Sequence, residues 1–279
     1  MRLTGAGRVA GVMGWPVKHS RSPQLHGFWL EKYRIDGAYV PLAVTPNDLP
    51  AALRGLRRIG LAGVNLTVPH KEQAFTIADH LDPLARRIGA INTIVVRGDG
   101  SLEGSNTDAF GFIENVRQNA PGWSPTAPAV VIGAGGAARA VVVALLDAGV
   151  REVRIVNRTE ARAERLAEEL GATARFWGDW KRALDGAGLL VNTTTQGMAG
   201  EPALEIDLAV LPKDAVVSDI VYVPLETPLL AMARRRGNAV VDGLGMLLHQ
   251  ARPGFRAWFG VDPQVTPELR AHVVGGRGR

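Results

Sequence analysis

The sequence predicts an α/β fold in two domains, an N-terminal one on a mixed sheet and a second one on a doubly wound parallel sheet. Three observations carry this. From position 129 onward, short apolar runs alternate with helix-patterned stretches, as repeated β-α units do. The first hundred residues alternate in the same way but close on a hairpin pattern, which brings antiparallel pairing into that sheet. The chain has 279 residues, enough for about two domains with a core each.

Each element has its own signal. Residues 8–14 read as a strand, and 24–33 as a helix opened by Ser22-Pro23, with serine as N-cap and proline at the first helical position. Residues 38–44 form a second strand. The stretch 48–59 places apolar residues at helical spacing behind Asn47 as cap. A strand over 63–69 is stopped by Pro69, and a helix over 70–80 starts at once. Residues 91–97 and 101–104, separated by Gly98-Asp99-Gly100, make the hairpin. A connecting helix spans 108–119, and a Pro-, Gly- and Ser-rich loop spans 121–128. Strands are then expected at 129–132, 153–156, 189–192, 215–220 and 239–241. Arg234-Arg235-Arg236 before Gly237 marks a helix end, where the dipole favours cations. Residues 246–259 are helical, and the Gly275–Arg279 tail is expected to be disordered. The domain boundary falls at 107/108: residues 1–107, completed by C-terminal helices in 246–279, form one domain, and 108–245 the other.

Residues Val130 to Arg139 read V-V-I-G-A-G-G-A-A-R. Gly133, Gly135 and Gly136, with Ala138 as the third small residue, fit the G-x-G-x-x-G/A pattern of a Rossmann dinucleotide-binding turn. Gly133 permits the turn out of the strand, and Gly135 removes a Cβ where backbone approaches a pyrophosphate. Ala138 lets the helix pack close to the sheet. The helix start, with Ala134 and Ala137 in the loop around it, offers free N–H groups to phosphate. The next strand ends at Asn157-Arg158-Thr159, with no carboxylate until Glu160. A carboxylate there holds the ribose 2′-hydroxyl of NAD. An arginine fork suits a 2′-phosphate instead, although a solvated arginine at a strand end is the plain alternative. The cofactor expected is NADP(H), read as NADPH in the reductive direction.

Composition narrows the class. The formal charge is +5, from 32 basic and 27 acidic residues. The basic residues are scattered and aromatics are sparse, which argues against nucleic acid and for anionic small molecules. No apolar run approaches the ~20 residues of a membrane span, and no apolar signal core follows Met1, so a cytoplasmic protein is expected. The absence of cysteine excludes disulfides, thiolate nucleophiles and Cys-zinc sites. The six histidines show no metal-like spacing, so no metal is expected. Only Lys18, Lys32, Lys71, Lys181 and Lys213 are lysines. Lysine, unlike arginine, can shift its pKa and transfer protons, and Lys71 sits in a conspicuous motif behind a strand end.

The segments G-W-P-V-K-H-S-R-S-P, N-L-T-V-P-H-K-E, G-A-I-N-T, S-N-T-D-A-F-G and D-G-L-G-M-L-L-H-Q occur in that order. With the glycine loop, N-R-T and N-T-T-T-Q-G-M, they closely resemble the shikimate dehydrogenase family, from about Val9 to Gln250. The resemblance implies an α/β substrate domain, a Rossmann domain, and NADPH-dependent reduction of 3-dehydroshikimate to shikimate. It implies that Lys71 and Asp108 form the catalytic pair, a reading that suits the chemistry, since ketone reduction needs a proton donor and the reverse oxidation a base. Ser20 and Ser22 resemble the carboxylate-binding serines, with Ser22 equally suited to capping its helix. Asn65, Thr67, Asn92 and Gln250 match positions that contact ring hydroxyls, Asn65 and Thr67 facing the same side of one strand. Tyr222 resembles a tyrosine near the carboxylate, with rim packing the plain alternative. Toward the cofactor the resemblance adds Thr193, Gly243 and Met246. Thr195 departs from the serine common at its position. A quinate or aminoshikimate dehydrogenase is the rival within the class. A non-catalytic NADP-binding sensor is the rival outside it, disfavoured because a sensor needs no Lys71–Asp108 pair. No nucleic-acid or membrane partner is expected, and the state is monomer or homodimer.

Overall fold

The computed structural model describes residues 3–275. From position 276 the expected disorder of the tail lies outside the described residues. Contacts divide the chain into two units, Met1–Thr107 with Leu247–Arg279, and Asp108–Met246.

The first unit contains β1 (Arg8–Gly14), α1 (Ser22–Lys32), β2 (Gly37–Ala43), α2 (Leu49–Gly55), β3 (Leu61–Leu66), α3 (Lys71–Phe75), β4 (His80–Leu81), α4 (Pro83–Ile88), β5 (Thr93–Val96) and β6 (Leu102–Ser105). Its sheet runs β2-β1-β3-β5-β6-β4. β1 pairs in parallel with β2 and β3, whereas β3/β5 and β5/β6 are antiparallel, which makes the sheet mixed. Leu49, Leu53, Leu56, Val64, Ile91 and Ile94 fill one core beneath it. Each such side chain contributes about 1.5–3 kcal/mol on burial.

Several local expectations are corrected here. Ser22 is not the N-cap of α1: Arg21 is, without a side-chain cap bond, and the Ser22 N–H instead donates to Ser20 Oγ at 3.3 Å. Asn47 does not cap α2 either. Asp48 holds that place, its carboxylate accepting from Thr45 Oγ1 at 2.6 Å, and the helix tightens into a 3-10 turn over Leu56–Ile59 before Gly60. β3 ends at Leu66 rather than 69, because Thr67 to His70 close a turn (His70 N–H to Thr67 O, 2.9 Å). Thr67 therefore lies past the strand that carries Asn65. The helix expected over 70–80 stops at Phe75: Thr76 Oγ1 bonds back to Gln73 O, and the Asp79 N–H is drawn to Leu102 O, which feeds His80–Leu81 into the sheet.

The second unit begins with α5 (Asp108–Asn119), followed by β7 (Ala129–Ile132), α6 (Gly136–Asp147), β8 (Val153–Val156), α7 (Glu160–Leu170), β9 (Thr173–Arg175), α8 (Trp180–Leu184), β10 (Leu189–Asn192), β11 (Val216–Asp219), α9 (Pro228–Arg236) and β12 (Ala239–Val241). All pairings are parallel, in the order β12-β11-β10-β7-β8-β9. Counted from β7 this is 3-2-1-4-5-6, the Rossmann order, with its switch point between β7 and β10. β7 and β10 are buried at every position, as central parallel strands must be. The sequence missed β9 and α8, both short and weakly apolar. α9 ends as expected, with Gly237 left-handed at φ 92° after three arginines. The division between units falls inside α10 (Gly243–Phe259), and α11 (Pro267–Gly275) closes the first unit.

Candidate active site

In the first unit Ser20 and Ser22 follow β1, and Thr67 and Lys71 follow β3, which pairs in parallel with β1. Lys71 opens α3 directly after the turn from β3, and its carbonyl accepts from the Ile91 N–H at 3.0 Å. His70, fully buried, donates from Nε2 to Val44 O at 2.8 Å and ties the start of α3 to the end of β2. Burial lowers its pKa against the raising effect of that bond, and because Val44 O can only accept, Nε2 carries the hydrogen. Gly14 is needed beside Thr67, since a Cβ there would run into the threonine methyl. Ser20 lies in the loop after β1 and Ser22 is the first residue of α1, Ser22 buried and Ser20 partly so.

Asn65, Asn92 and Gln250 are brought together by hydrogen bonds. Asn65 Nδ2 donates to Asn92 O (3.1 Å) and to Thr93 Oγ1 (3.0 Å). Asn92 Nδ2 donates to Thr107 Oγ1 (3.0 Å) and Gln250 Oε1 (3.2 Å), and its Oδ1 accepts from the Thr107 N–H at 2.8 Å. All are buried. The Thr107 bonds deliver the chain to this cluster one residue before Asp108, the first residue of α5, which is 4% exposed. Such a cluster offers short neutral acceptors and donors, chemistry suited to a polyhydroxylated ligand.

In the second unit the switch point is built by two loops. Gly133 has φ 117°, and a Cβ on it would lie 2.5 Å from Thr193 Oγ1. Thr193 sits just past β10 and donates from Oγ1 to Ile132 O at 2.6 Å, so the two loops lock together. Gly135 is the N-cap of α6, which carries no side-chain cap bond and no acid in its first turn. Its first N–H groups and positive dipole end thus fit a phosphate. Ala134 and Ala137 lie in this same turn and first helical turn, and Ala138 is buried, as close helix–sheet packing needs.

Asn157 follows β8 and donates to Thr159 O at 2.9 Å, which shapes the turn carrying exposed Arg158. Arg158 lines a cavity of about 490 Å³ with Trp177, Trp180, Gln196, Glu205 and Asp207 among others. Gln196 Oε1 is buried there without a hydrogen-bond partner. Arg162, one turn after Arg158, donates to Ala134 O at 3.3 Å and adds a second cation beside the glycine loop. The sequence reading missed it. Arg158 precedes the Thr159 N-cap of α7 whereas Arg162 lies in its first turn, so helical spacing does not link the two in the sequence.

Behind the β10 loop, Asp219 is wholly buried and accepts from Asn192 Nδ2 (3.1 Å), the Val221 N–H (3.0 Å) and Thr227 Oγ1 (2.7 Å). Desolvation raises its pKa to about 6 despite these three donors. Asn192 in turn accepts from the Thr194 N–H and Oγ1, so Asp219 braces the loop that carries Thr193. Tyr222 lies on the neighbouring loop, half-buried, and the Ala199 N–H to Val223 O bond (2.8 Å) joins the two loops. Gly243 starts α10 against the Ile220 and Val221 carbonyls, where a Cβ would not fit, and Met246 is buried one turn on.

Known proteins match most of the chain. Residues 12–94 match the shikimate dehydrogenase substrate binding domain, residues 116–211 the shikimate/quinate 5-dehydrogenase family, and residues 243–267 the shikimate 5′-dehydrogenase C-terminal domain. The chain is 63% identical to the shikimate dehydrogenase (NADP⁺) of Paramagnetospirillum magneticum, over 98% of this chain and 100% of that protein. It is 60% identical to the protein of the same name from Rhodospirillum rubrum, over 98% and 99%. Among solved structures, shikimate 5-dehydrogenase from Thermus thermophilus in complex with NADP(H) and shikimate superposes with a TM-score of 0.86. That pair is 40% identical, with 96% of this chain and 98% of the other covered.

Proposed function

The chain belongs to the shikimate dehydrogenase family, and from that premise we propose that it reduces 3-dehydroshikimate reversibly to shikimate with NADPH. The observation that carries this reading is the buried cluster of Asn65, Asn92, Thr107 and Gln250, in the unit whose strand ends also present Lys71. In this reading residues 1–107 with the C-terminal helices bind substrate, and residues 108–245 bind NADP.

When bound, NADPH supplies the hydride that reaches the carbonyl carbon. The remaining work belongs to the chain. The Lys71 ammonium gives a proton to the carbonyl oxygen as it gains charge, and takes it back as base in the oxidation. Asp108 orients and holds the ammonium. Ser20 and Ser22 donate to the ring carboxylate together with the Tyr222 hydroxyl, while Asn65, Thr67, Asn92 and Gln250 meet the ring hydroxyls. Gly133 to Ala137 cradle the pyrophosphate at the start of α6, and Arg158, beside Asn157 and Thr159, takes the 2′-phosphate. Thr193, Gly243 and Met246 flank the nicotinamide end. The high identity to proteins named shikimate dehydrogenase (NADP⁺) supports shikimate over quinate or aminoshikimate. A cytoplasmic location and a monomeric or homodimeric state belong to the same reading, and light scattering reads the latter.

Lys71→Ala tests the assignment. The kcat for shikimate oxidation is expected to fall at least about a hundredfold with KM changed only modestly. Near-normal turnover would remove Lys71 from the chemistry.

A further inference from the structure

Tyr39 lies on β2 in register with Ala10 of β1, whose other neighbour is Gly63 of β3. The small Ala10 side chain leaves room for the phenol to reach across β1, while the Trp258 indole occupies the space over Gly63, and the Tyr39 hydroxyl donates to Asn65 Oδ1 at 2.6 Å in a buried setting. The ring is held on its face by His26, stacked at 3.8 Å and 3°, with Trp258 at 6.0 Å beside it. His26 itself is fully buried, and neither ring nitrogen has a hydrogen-bond partner. It acts on Tyr39 as an aromatic plate.

The direction of the bonds is fixed by chemistry. Asn92 O is a carbonyl and can only accept, so the Asn65 atom facing it is the amide nitrogen. Both amide hydrogens of Asn65 are then used, on Asn92 O and Thr93 Oγ1. Thr93 passes its own hydrogen to Asn92 Oδ1 at 3.0 Å, so the polarity runs one way from Tyr39 to Asn92. What Asn65 has left for a ligand is the second acceptor position of Oδ1.

We propose that Tyr39, clamped by His26, is a positioning residue that locks the Asn65 carboxamide so that it meets substrate as an acceptor of one ring hydroxyl. The inference rests on Asn65 serving the substrate, as read above. Without the phenol hydroxyl, Oδ1 loses its fixed donor, and the side chain is free to tilt away from the geometry the ligand needs.

The test is a double-mutant cycle of Tyr39→Phe and Asn65→Ser, with thermal melts to establish that each variant is folded. Tyr39→Phe is expected to raise KM for shikimate about tenfold while KM for NADP⁺ and kcat stay within about threefold. In the Asn65→Ser background the same change should cost nothing further. Thr93→Val, which removes the other end of the same chain of bonds, replaces Asn65→Ser in the cycle if that variant does not fold. An unchanged KM in Tyr39→Phe, with a raised KM in Asn65→Ser, would overturn the role of Tyr39 and leave the substrate reading of Asn65 standing. Fully additive losses would also overturn it, since Tyr39 would then act without Asn65. An Asn65→Ser enzyme with normal KM would sink both.

Discussion

At the residue scale, two buried ionisable groups set opposite pH trends in stability. Burial holds His26 at a pKa of about 3, below its ordinary 6.5, because nothing in its aromatic surroundings compensates a charge. The unfolded chain therefore takes up a proton below 6.5 that the folded chain refuses, and stability falls as pH drops. By pH 5 the loss from this group is about 2 kcal/mol. Asp219 works the other way. Its pKa is raised from 3.8 to about 6, so its contribution is present below 3.8 and is lost as pH rises through 6. The difference between wild type and His26→Phe isolates the histidine. The variant is expected to be at least as stable at pH 7, where two unsatisfied nitrogens are removed, and to lose less on acidification to about pH 5. Parallel melting curves across that range would show that His26 is not neutral by burial. Arg158→Ala is expected to weaken NADPH binding about tenfold or more and NADH binding hardly at all, as titration of each cofactor would read. Equal losses would place the 2′-phosphate elsewhere, with Arg162 the next cation to test. At this scale the sequence was legible where a motif fixes a backbone need, as for Gly133 with its φ of 117°. It was silent on Tyr39 and His26, whose parts depend on pairing across β1.

At the scale of elements, the strands of the second unit were legible because buried parallel strands are short apolar runs bounded by turn residues. β7, β8, β10 and β12 fall where the sequence placed them. Boundaries set by side-chain bonds were not legible. The start of α1 at Ser22, the cap of α2 at Asp48 and the early stop of α3 each depend on a neighbour the pattern cannot show. The β7–α6 turn makes the sharpest claim. With Gly133 at φ 117° and Thr193 Oγ1 in the path of a Cβ, Gly133→Ala carries about 1–3 kcal/mol of backbone strain besides the clash. A melting temperature several degrees lower and weakened NADPH binding are expected. An alanine variant with unchanged stability and affinity would mean that the turn does not need its glycine.

At the scale of the whole molecule, two sheets of different construction came through in the sequence as a change of rhythm, from hairpin-bearing alternation to plain β-α repeats. The Rossmann order itself was not readable strand by strand, because the position of β9 and the return of the chain across β7 to β10 are set by crossover handedness and packing. The candidate site was legible as a set of motifs, but their bonding was not. That Asn92, Thr107 and Gln250 share one buried network joins positions as far as 158 residues apart. The most direct test of the whole account is the absorbance at about 340 nm, where the reduced nicotinamide absorbs, with purified protein and shikimate or quinate paired with NADP⁺ or NAD⁺. Rapid reduction with shikimate and NADP⁺, and slow reduction with the other pairs, is the predicted result. Activity mainly on quinate would contradict the substrate reading, preference for NAD⁺ the role of Arg158, and silence with every pair the claim that this chain is an enzyme at all.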